Sequence, residues 1–392
     1  MCSKKDYLRL IRWSCIIESF SSNYFIRIIV IYLLAQKVTP WVAVSIPIVL
    51  EFARLISRGF KPLVQFALKV NYKKYHIFHL IAFLSLCIII SRCRSVYTIY
   101  LFTILSGFLS GVKYSSVTKI NTQNKEYEPY CFIEEERSNV IGGTLGLLTS
   151  QFIYDLNPKM YLIGFGALMI IGTVLSLLLK NVKDEDVMKP IEENKKLDKK
   201  AKKNTIIVTT LFAILAGLWC IGLDGFTELA PLISKKIGYL ESIYTILEII
   251  LLLIISGSLI KTIKEKKKLL LSETIIAVID TTCLLVAGVT LSWYGLLVGY
   301  VIYGFTSTLG DPIWGSIMSA YSTNQREKWV LVNRVYFVLR ALFTIVSWFI
   351  CRWCVISGVE SFKYLACILM ILIIGMYLIS NKVNKKIFKQ SV

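Results

Sequence analysis

The chain of 392 residues is 55% hydrophobic and 18% charged, with a mean hydropathy of +0.63, a balance that excludes an ordinary soluble globular protein. Its formal net charge of +20 would suit nucleic acid if it formed one soluble patch, but the basic residues punctuate apolar blocks. The positive-inside rule explains that pattern and nucleic-acid binding does not, so the composition predicts a polytopic protein embedded in a lipid bilayer.

Lys4, Lys5, Arg9 and Arg12 precede an apolar block that carries Glu18 and Arg27 and lacks a small-residue cleavage site, so the first block is expected to stay as a helix. At about 20 residues per crossing, the apolar blocks predict an all-α protein of twelve transmembrane helices. Spans 1 to 6 lie near 10–36, 40–59, 75–93, 95–118, 134–154 and 159–180. Spans 7 to 12 lie near 205–233, 241–261, 268–291, 293–318, 329–352 and 360–380. With the N-terminus inside, most of the 45 Lys and Arg residues fall in the N-terminus, 54–74, 113–137, 180–204, 261–268, 326–334 and the C-terminal tail. This orientation puts both termini in the cytoplasm.

The longest polar run, KNVKDEDVMKPIEENKKLDKKAKKN from Lys180 to Asn204, cannot sit in lipid and divides the chain into two apolar halves. The expected organisation is a six-helix bundle over 1–180, a solvated and partly disordered cytoplasmic linker over 181–204, and a second bundle with a short tail over 205–392. A weak repeat agrees with it: QFALKVNYKK from Gln65 follows span 2, GSLIKTIKEK from Gly257 follows span 8, and each has lysine at its fifth place. Two such halves in one chain let a monomer hold a complete path.

A charge at the bilayer centre costs roughly 2.5–3.5 kcal/mol, so intramembrane polar residues are where function is argued. Span 1 carries Ser14, Glu18, Ser21 and Ser22 at helical spacing, and span 4 carries Thr103, Ser106, Ser110 and Lys113. Span 7 offers Gly217, Asp224, Thr227 and Glu228; span 10 offers Tyr300, Tyr303, Ser307, Asp311 and Trp314. Any one stripe is also what a polar seam in helix packing looks like, and Lys113 is placed to reach the cytoplasm. Glu18 is the first choice for a proton-carrying side chain. Asp224 and Glu228, four residues apart on one face, suit a shared proton, an outer gate or a cationic substrate. Asp311, between Gly310 and Pro312, marks a kink near an inner gate.

The remaining buried charges are Arg27, Glu248, Asp280 and Arg340, and Arg340 needs an acid or an anion as partner. Arg27 is nine residues after Glu18 and so faces the other way. Trp219, Tyr300, Tyr303 and Trp314 suit stacking or cation–π contact with an amphipathic or cationic ligand. His76 and His79 read as interfacial residues. Cys351 and Cys354 form a single CxxC inside a predicted span, without a second pair to complete a metal site. No metal or cofactor is predicted, no phosphate-binding GxxxxGK[ST] loop occurs, and no enzyme constellation is present.

The layout resembles the major facilitator superfamily along essentially the whole chain. The family's loop after helix 2, commonly GxLaDRxGRRx, survives here only in its basic end, Lys73 and Lys74; Gln65, Lys69 and Tyr72 replace the first glycine, the aspartate and the second glycine. The second copy keeps Gly257 and Leu259 but has Lys261 for the acid. Gly142 and Gly146 match the first spacing of the GxxxGPxxGG seen in helix 5 of drug–proton antiporters, with Leu147 for the proline. SGFLSGVKYSS, KEYEPY and EEERSNVIGG, in spans 4 and 5 and their loop, are similar to a bacterial exporter branch.

The resemblance implies two pseudo-symmetric six-helix bundles whose spans 1, 4, 7 and 10 line a central cavity. It implies proton-coupled efflux of a small amphipathic molecule or peptide by alternating access, with the substrate, protons and the bilayer as partners. Import by proton symport stays open, as does a non-transporting immunity or sensor role suggested by the degenerate loops. The Lys-, Ile- and Asn-rich composition fits the plasma membrane of a low-GC bacterium.

Overall fold

Apolar runs of this length meet their backbone hydrogen-bonding needs in lipid by forming helices, and every element in the described residues of this computed structural model is helical. The structure describes residues 4–60, 72–92, 95–122, 128–178, 199–264, 279, 294–302 and 326–389. Helices α1 (Lys4–Ala35), α2 (Pro40–Gly59), α3 (Tyr72–Arg92), α4 (Val96–Thr122), α5 (Glu128–Leu156), α6 (Met160–Leu178), α7 (Lys199–Ile233) and α8 (Ile237–Lys264) fall on spans 1 to 8. Residues 294–302 form α9, within span 10, while α10 (Arg326–Ser357) and α11 (Phe362–Lys389) are spans 11 and 12. Span 9, apart from Ile279, lies outside the described residues.

Within the described residues, 6 helices hold a stretch long and apolar enough to cross a membrane, from Ile11–Ala35 to Arg334–Ser357, and shorter apolar runs occupy Ile77–Arg92, Val96–Gly111 and Lys363–Ile379. The helices overrun the predicted spans at their polar ends. Lys199 to Asn204, assigned above to the linker, form the first turns of α7. Lys and Ala are good helix formers and no breaker intervenes, so the backbone ladder continues past the apolar boundary. The rest of the linker lies outside the described residues.

Short links gather at one end of the bundle, here termed the short-loop end. Pro40 opens α2 where its missing N–H costs nothing. Asn157 accepts the Lys159 N–H through its side chain at 3.0 Å, and the Ser234 hydroxyl accepts the Lys236 N–H at 3.2 Å, so two links close by the same device. Gly358, at φ 99°, ends α10 in the left-handed conformation that glycine adopts without strain.

Between helices, glycines allow backbone to touch backbone. A Cβ on Gly142 of α5 would lie 2.3 Å from the Ile16 carbonyl oxygen of α1, and one on Gly146 would lie 2.4 Å from that of Phe20. Helices α2 and α4 meet in the same way, with Gly107 against the Leu50 carbonyl and Gly111 against that of Arg54. Helix α2 also packs on α10: Gly59 meets Val338 near one end, and Arg352 lies over the Trp41 ring at 5.3 Å near the other. Ile163, Ile170 and Leu178 of α6, Ile250 and Leu253 of α8, and Ile368 and Ile371 of α11 are exposed, as lipid-facing positions are.

The main buried cluster lies toward the short-loop end and draws on both sides of the linker. It joins Ile28 and Ile29 of α1, Ala43 and Ile46 of α2, Leu229 of α7, and Ile237 and Leu240 of α8. Cys351 and Cys354 are buried in this cluster. His79 is 5% exposed, with its ring edge-on to Phe83 at 4.7 Å, because its turn of α3 faces other helices. The side chain of His76 lies outside the described residues.

Gly142→Ala is expected to destabilise the protein by about 1–3 kcal/mol, since the methyl has no room beside the Ile16 carbonyl. Gly375→Ala, with nothing within 4 Å of the new Cβ, is the matched control and should shift stability by less than about 0.5 kcal/mol. Melting of both variants in one detergent checks the contrast.

Candidate functional site

The predicted polar stripe of α1 is divided among several directions. The Ser19 hydroxyl donates to the Asn139 carbonyl of α5 at 2.6 Å, and Asn23 Nδ2 donates to the Ser19 carbonyl at 3.0 Å. Ser21 returns to the Ile17 carbonyl of its own helix at 2.8 Å. Ser22 instead faces α2, where its hydroxyl accepts from Arg54 Nη2 at 3.3 Å. Glu18 is half-buried one turn before Ser22 on the same face, and Ser14 is buried a further turn away.

Ser22 leads to a cluster of charges that joins the two sides of the linker. Arg54 Nη1 donates to Glu51 Oε2 at 3.0 Å along α2, and the charges of Arg58 and Arg340 bear on the same carboxylate. Arg340 comes from α10, and its Nη2 donates to Cys220 Sγ on α7 at 2.7 Å. Arg58 lies over the Phe337 ring of α10 at 5.4 Å. The side chains of Glu51 and Arg54 keep 27% and 16% of their surface, between α1 on one side and α10 on the other.

Sequence reading passed over Glu51 and counted Arg54 and Arg58 among loop charges; all three stand inside α2. Their spacing of three and four residues on an otherwise apolar helix is the signal that was present. The partner required for Arg340 could not be read from α10 alone, because it stands on another helix.

A second group lies beyond the linker. Glu241 of α8 is fully buried and accepts the Tyr300 hydroxyl at 2.7 Å, while the Tyr300 ring stacks on Tyr244 at 5.4 Å and 6°. Glu228 of α7 and Glu248 of α8 are also buried. Trp219, grouped with the cavity aromatics above, packs against Leu215, Leu218 and Leu369 in a cluster between α7 and α11. Glu241 and Glu248 are seven residues apart on one face of α8, a spacing that marks the pair in the sequence.

On α4, Ser106 donates to the Ala82 carbonyl of α3 at 3.3 Å, and Ser110 is buried, so both stand in helix packing. Arg27, Lys113 and Asp224 lie on α1, α4 and α7, with side chains outside the described residues. Tyr303, Ser307, Asp311, Trp314 and Asp280 lie outside the described residues altogether. Among the described residues, no group of three or more His, Cys, Asp or Glu is placed to hold a metal ion.

The short-loop end carries a polar clasp between α5 and α8. Gln151 Oε1 accepts the Gly238 N–H at 3.0 Å, Gln151 Nε2 donates to the Lys235 carbonyl at 3.3 Å, and Lys236 Nζ donates to Asp155 Oδ2 at 2.6 Å. Toward the opposite end, α1 and α5 are joined by Arg12 and Glu134.

A family model described as Major Facilitator Superfamily matches residues 137–347. Among solved structures, a POT family transporter in complex with a thioalcohol-conjugated peptide superposes with a TM-score of 0.73 at 11% identity, covering 96% of each chain. The POT family transporter PepTSo gives 0.69 at 13% identity, covering 98% of this chain and 99% of its own. The human organic anion transporter MFSD10 (TETRAN) gives 0.66 at 11% identity, covering 96% and 100%. At these identities the likeness is one of fold. No curated protein matches the sequence.

Tyr300→Phe deletes the donor to a fully buried carboxylate and is expected to cost about 1–3 kcal/mol of stability. Tyr97→Phe, at a position 88% exposed, should be neutral. Thermal denaturation of the two variants in detergent tells them apart; equal melting temperatures would mean the Tyr300–Glu241 bond adds nothing.

Proposed function

This chain belongs to the Major Facilitator Superfamily, and from that premise we propose that it is a proton-coupled secondary transporter exporting a small amphipathic molecule or peptide. It works by alternating access between halves 1–180 and 205–392, with twelve spans in all and the 181–204 linker and both termini in the cytoplasm of a bacterium. One monomer holds the whole path. The protein is a transporter and not an enzyme.

The observation that carries the proposal is the lodging of carboxylates among apolar helices: Glu18 and Glu51 half-buried, and Glu228, Glu241 and Glu248 buried. Packing alone does not need them, and each charge at mid-membrane costs roughly 2.5–3.5 kcal/mol. Glu18, with Asp224, Glu228 and Asp311 as further proton-carrying candidates, sits on the α1 face that leads through Ser22 to the charges shared with α10. Export is supported by the Gly142 and Gly146 spacing on α5.

Import of the same class of molecule is a second reading, favoured by Leu147 in place of the antiporter proline and by the POT neighbour solved with a conjugated peptide. Lysines at 69 and 261, where the family has an acid, favour the third reading, a protein that senses or protects without transport.

Inverted membrane vesicles offered lipophilic cations, peptides and sugars are expected to show substrate-dependent internal pH change, reduced about tenfold or more in Glu18→Gln. Undiminished flux in that variant removes Glu18 from the mechanism. The sign of accumulation against a known proton gradient decides export against import, and no flux with any compound favours the non-transporting reading.

A further inference from the structure

At the short-loop end one amide side chain of the first half grips the backbone of the second. Gln151 of α5 is fully buried. Its Oε1 accepts the Gly238 N–H of α8 at 3.0 Å, and its Nε2 donates to the Lys235 carbonyl at 3.3 Å and to Asp155 Oδ1 at 3.1 Å. Both donors and the acceptor of the amide are in use.

The first four N–H groups of a helix have no acceptor within it. Gly238 is the second residue of α8, so Gln151 caps that helix from the other side of the linker. Asp155, one turn after Gln151 on the same face, orients the amide and receives Lys236 from the link between α7 and α8.

The contact is as close in shape as it is in bonding. A Cβ on Gly238 would lie 2.8 Å from Gln151 Cβ and 3.1 Å from the Leu147 carbonyl oxygen, so glycine lets α8 seat directly on α5. Bonds to backbone hold only while the two helices keep this spacing and register. The ion pair beside them is looser, because Lys236 is a long side chain with 57% of its surface exposed and follows Asp155 through a small shift of α8.

Water replaces every partner once the helices part. The amide, the Gly238 N–H and the Lys235 carbonyl are then hydrated, so the bonds are exchanged and their net worth is modest. Such a contact releases and re-forms, while the apolar cluster beneath it supplies most of the closing force.

We infer that Gln151 is a gating residue: its amide latches α5 to the first turn of α8, and the contact with Gly238 tunes the balance between arrangements shut and open at the short-loop end. The inference rests on the transport reading, which requires halves that part, and it adds to that reading the contact that governs parting at this end.

The test is the rate at which a hydrophilic maleimide modifies Leu240→Cys in the full-length protein in lipid nanodiscs, without substrate or gradient. Peptide mass spectrometry locates each label. Leu240 is 1% exposed in the first turn of α8, in the cluster that also holds residues of α1 and α2, so a thiol there reacts when this end opens. Cys15, buried with Ile11 and Cys131 where α1 meets α5, is the internal control.

Gln151→Met keeps the bulk and removes the amide, whereas Gly238→Ala puts a methyl into the contact. Each is expected to raise labelling at residue 240 about tenfold or more and to leave Cys15 within about twofold. Lys236→Gln should raise it less than about fivefold, as loss of an exposed ion pair does.

Unchanged labelling at residue 240 in either folded variant overturns the latch. So does an equal rise at Cys15, which marks a loosened bundle, or a Lys236→Gln effect as large as that of Gln151→Met, which moves the latch to the ion pair. If one of the two variants fails to fold, the other decides. Labelling involves no flux, so failure of the transport reading shows in vesicles and failure of the latch shows here.

Discussion

The structure depends on the contact of α1 with α5, where the carbonyls of Ile16 and Phe20 occupy the space that Cβ atoms on Gly142 and Gly146 would fill. In lipid, apolar surface gains little by leaving its surroundings, so helices associate through close backbone approach and interhelical hydrogen bonds. The seam supplies both, because the Ser19 bond to the Asn139 carbonyl sits beside the glycines. Once that side of α1 is fixed to α5, the helical turn aims Ser22 at α2. Gly107 and Gly111 then fix α2 on α4 and hold Arg54 where Ser22 meets it.

The charges divide by their access to water. Glu241 and Tyr300 are fully buried and hydrogen-bonded to each other, and with the Tyr244 stack they behave as part of the scaffold. Glu51 and Arg54 keep part of their surface and sit where the two sides of the linker meet.

Hydropathy placed helices on spans 1 to 8, 11 and 12 and on the described part of span 10, because the bilayer imposes length and apolarity on each helix separately. What joins helices was not legible. Ser14, Glu18, Ser21 and Ser22 read as one stripe, yet Ser21 bonds its own backbone and Ser22 a neighbouring helix. Periodicity gives the face of a residue and not what stands opposite it. Glu51 was missed for a related reason: with Arg54 and Arg58 taken as positive-inside loop charges, the acid beside them had no apparent role. Asp311, Tyr303 and Trp314 cannot be compared in this way, since they lie outside the described residues.

The clasp at the short-loop end decides how the halves would separate in the proposed cycle. The Asp155–Lys236 pair is 26% and 57% exposed, so it is worth about 1 kcal/mol or less. The two Gln151 bonds add about 1 kcal/mol each. Beneath them, Leu229, Ile237 and Leu240 pack with residues of α1 and α2, and exposing each such side chain to water costs about 1.5–3 kcal/mol. Apolar burial therefore holds this end shut, and the clasp fixes the register of α5 on α8. Moving a two-state equilibrium from 1:99 to 99:1 takes about 5.5 kcal/mol of differential binding. That is more than the polar clasp holds, and it is comparable to a few buried side chains.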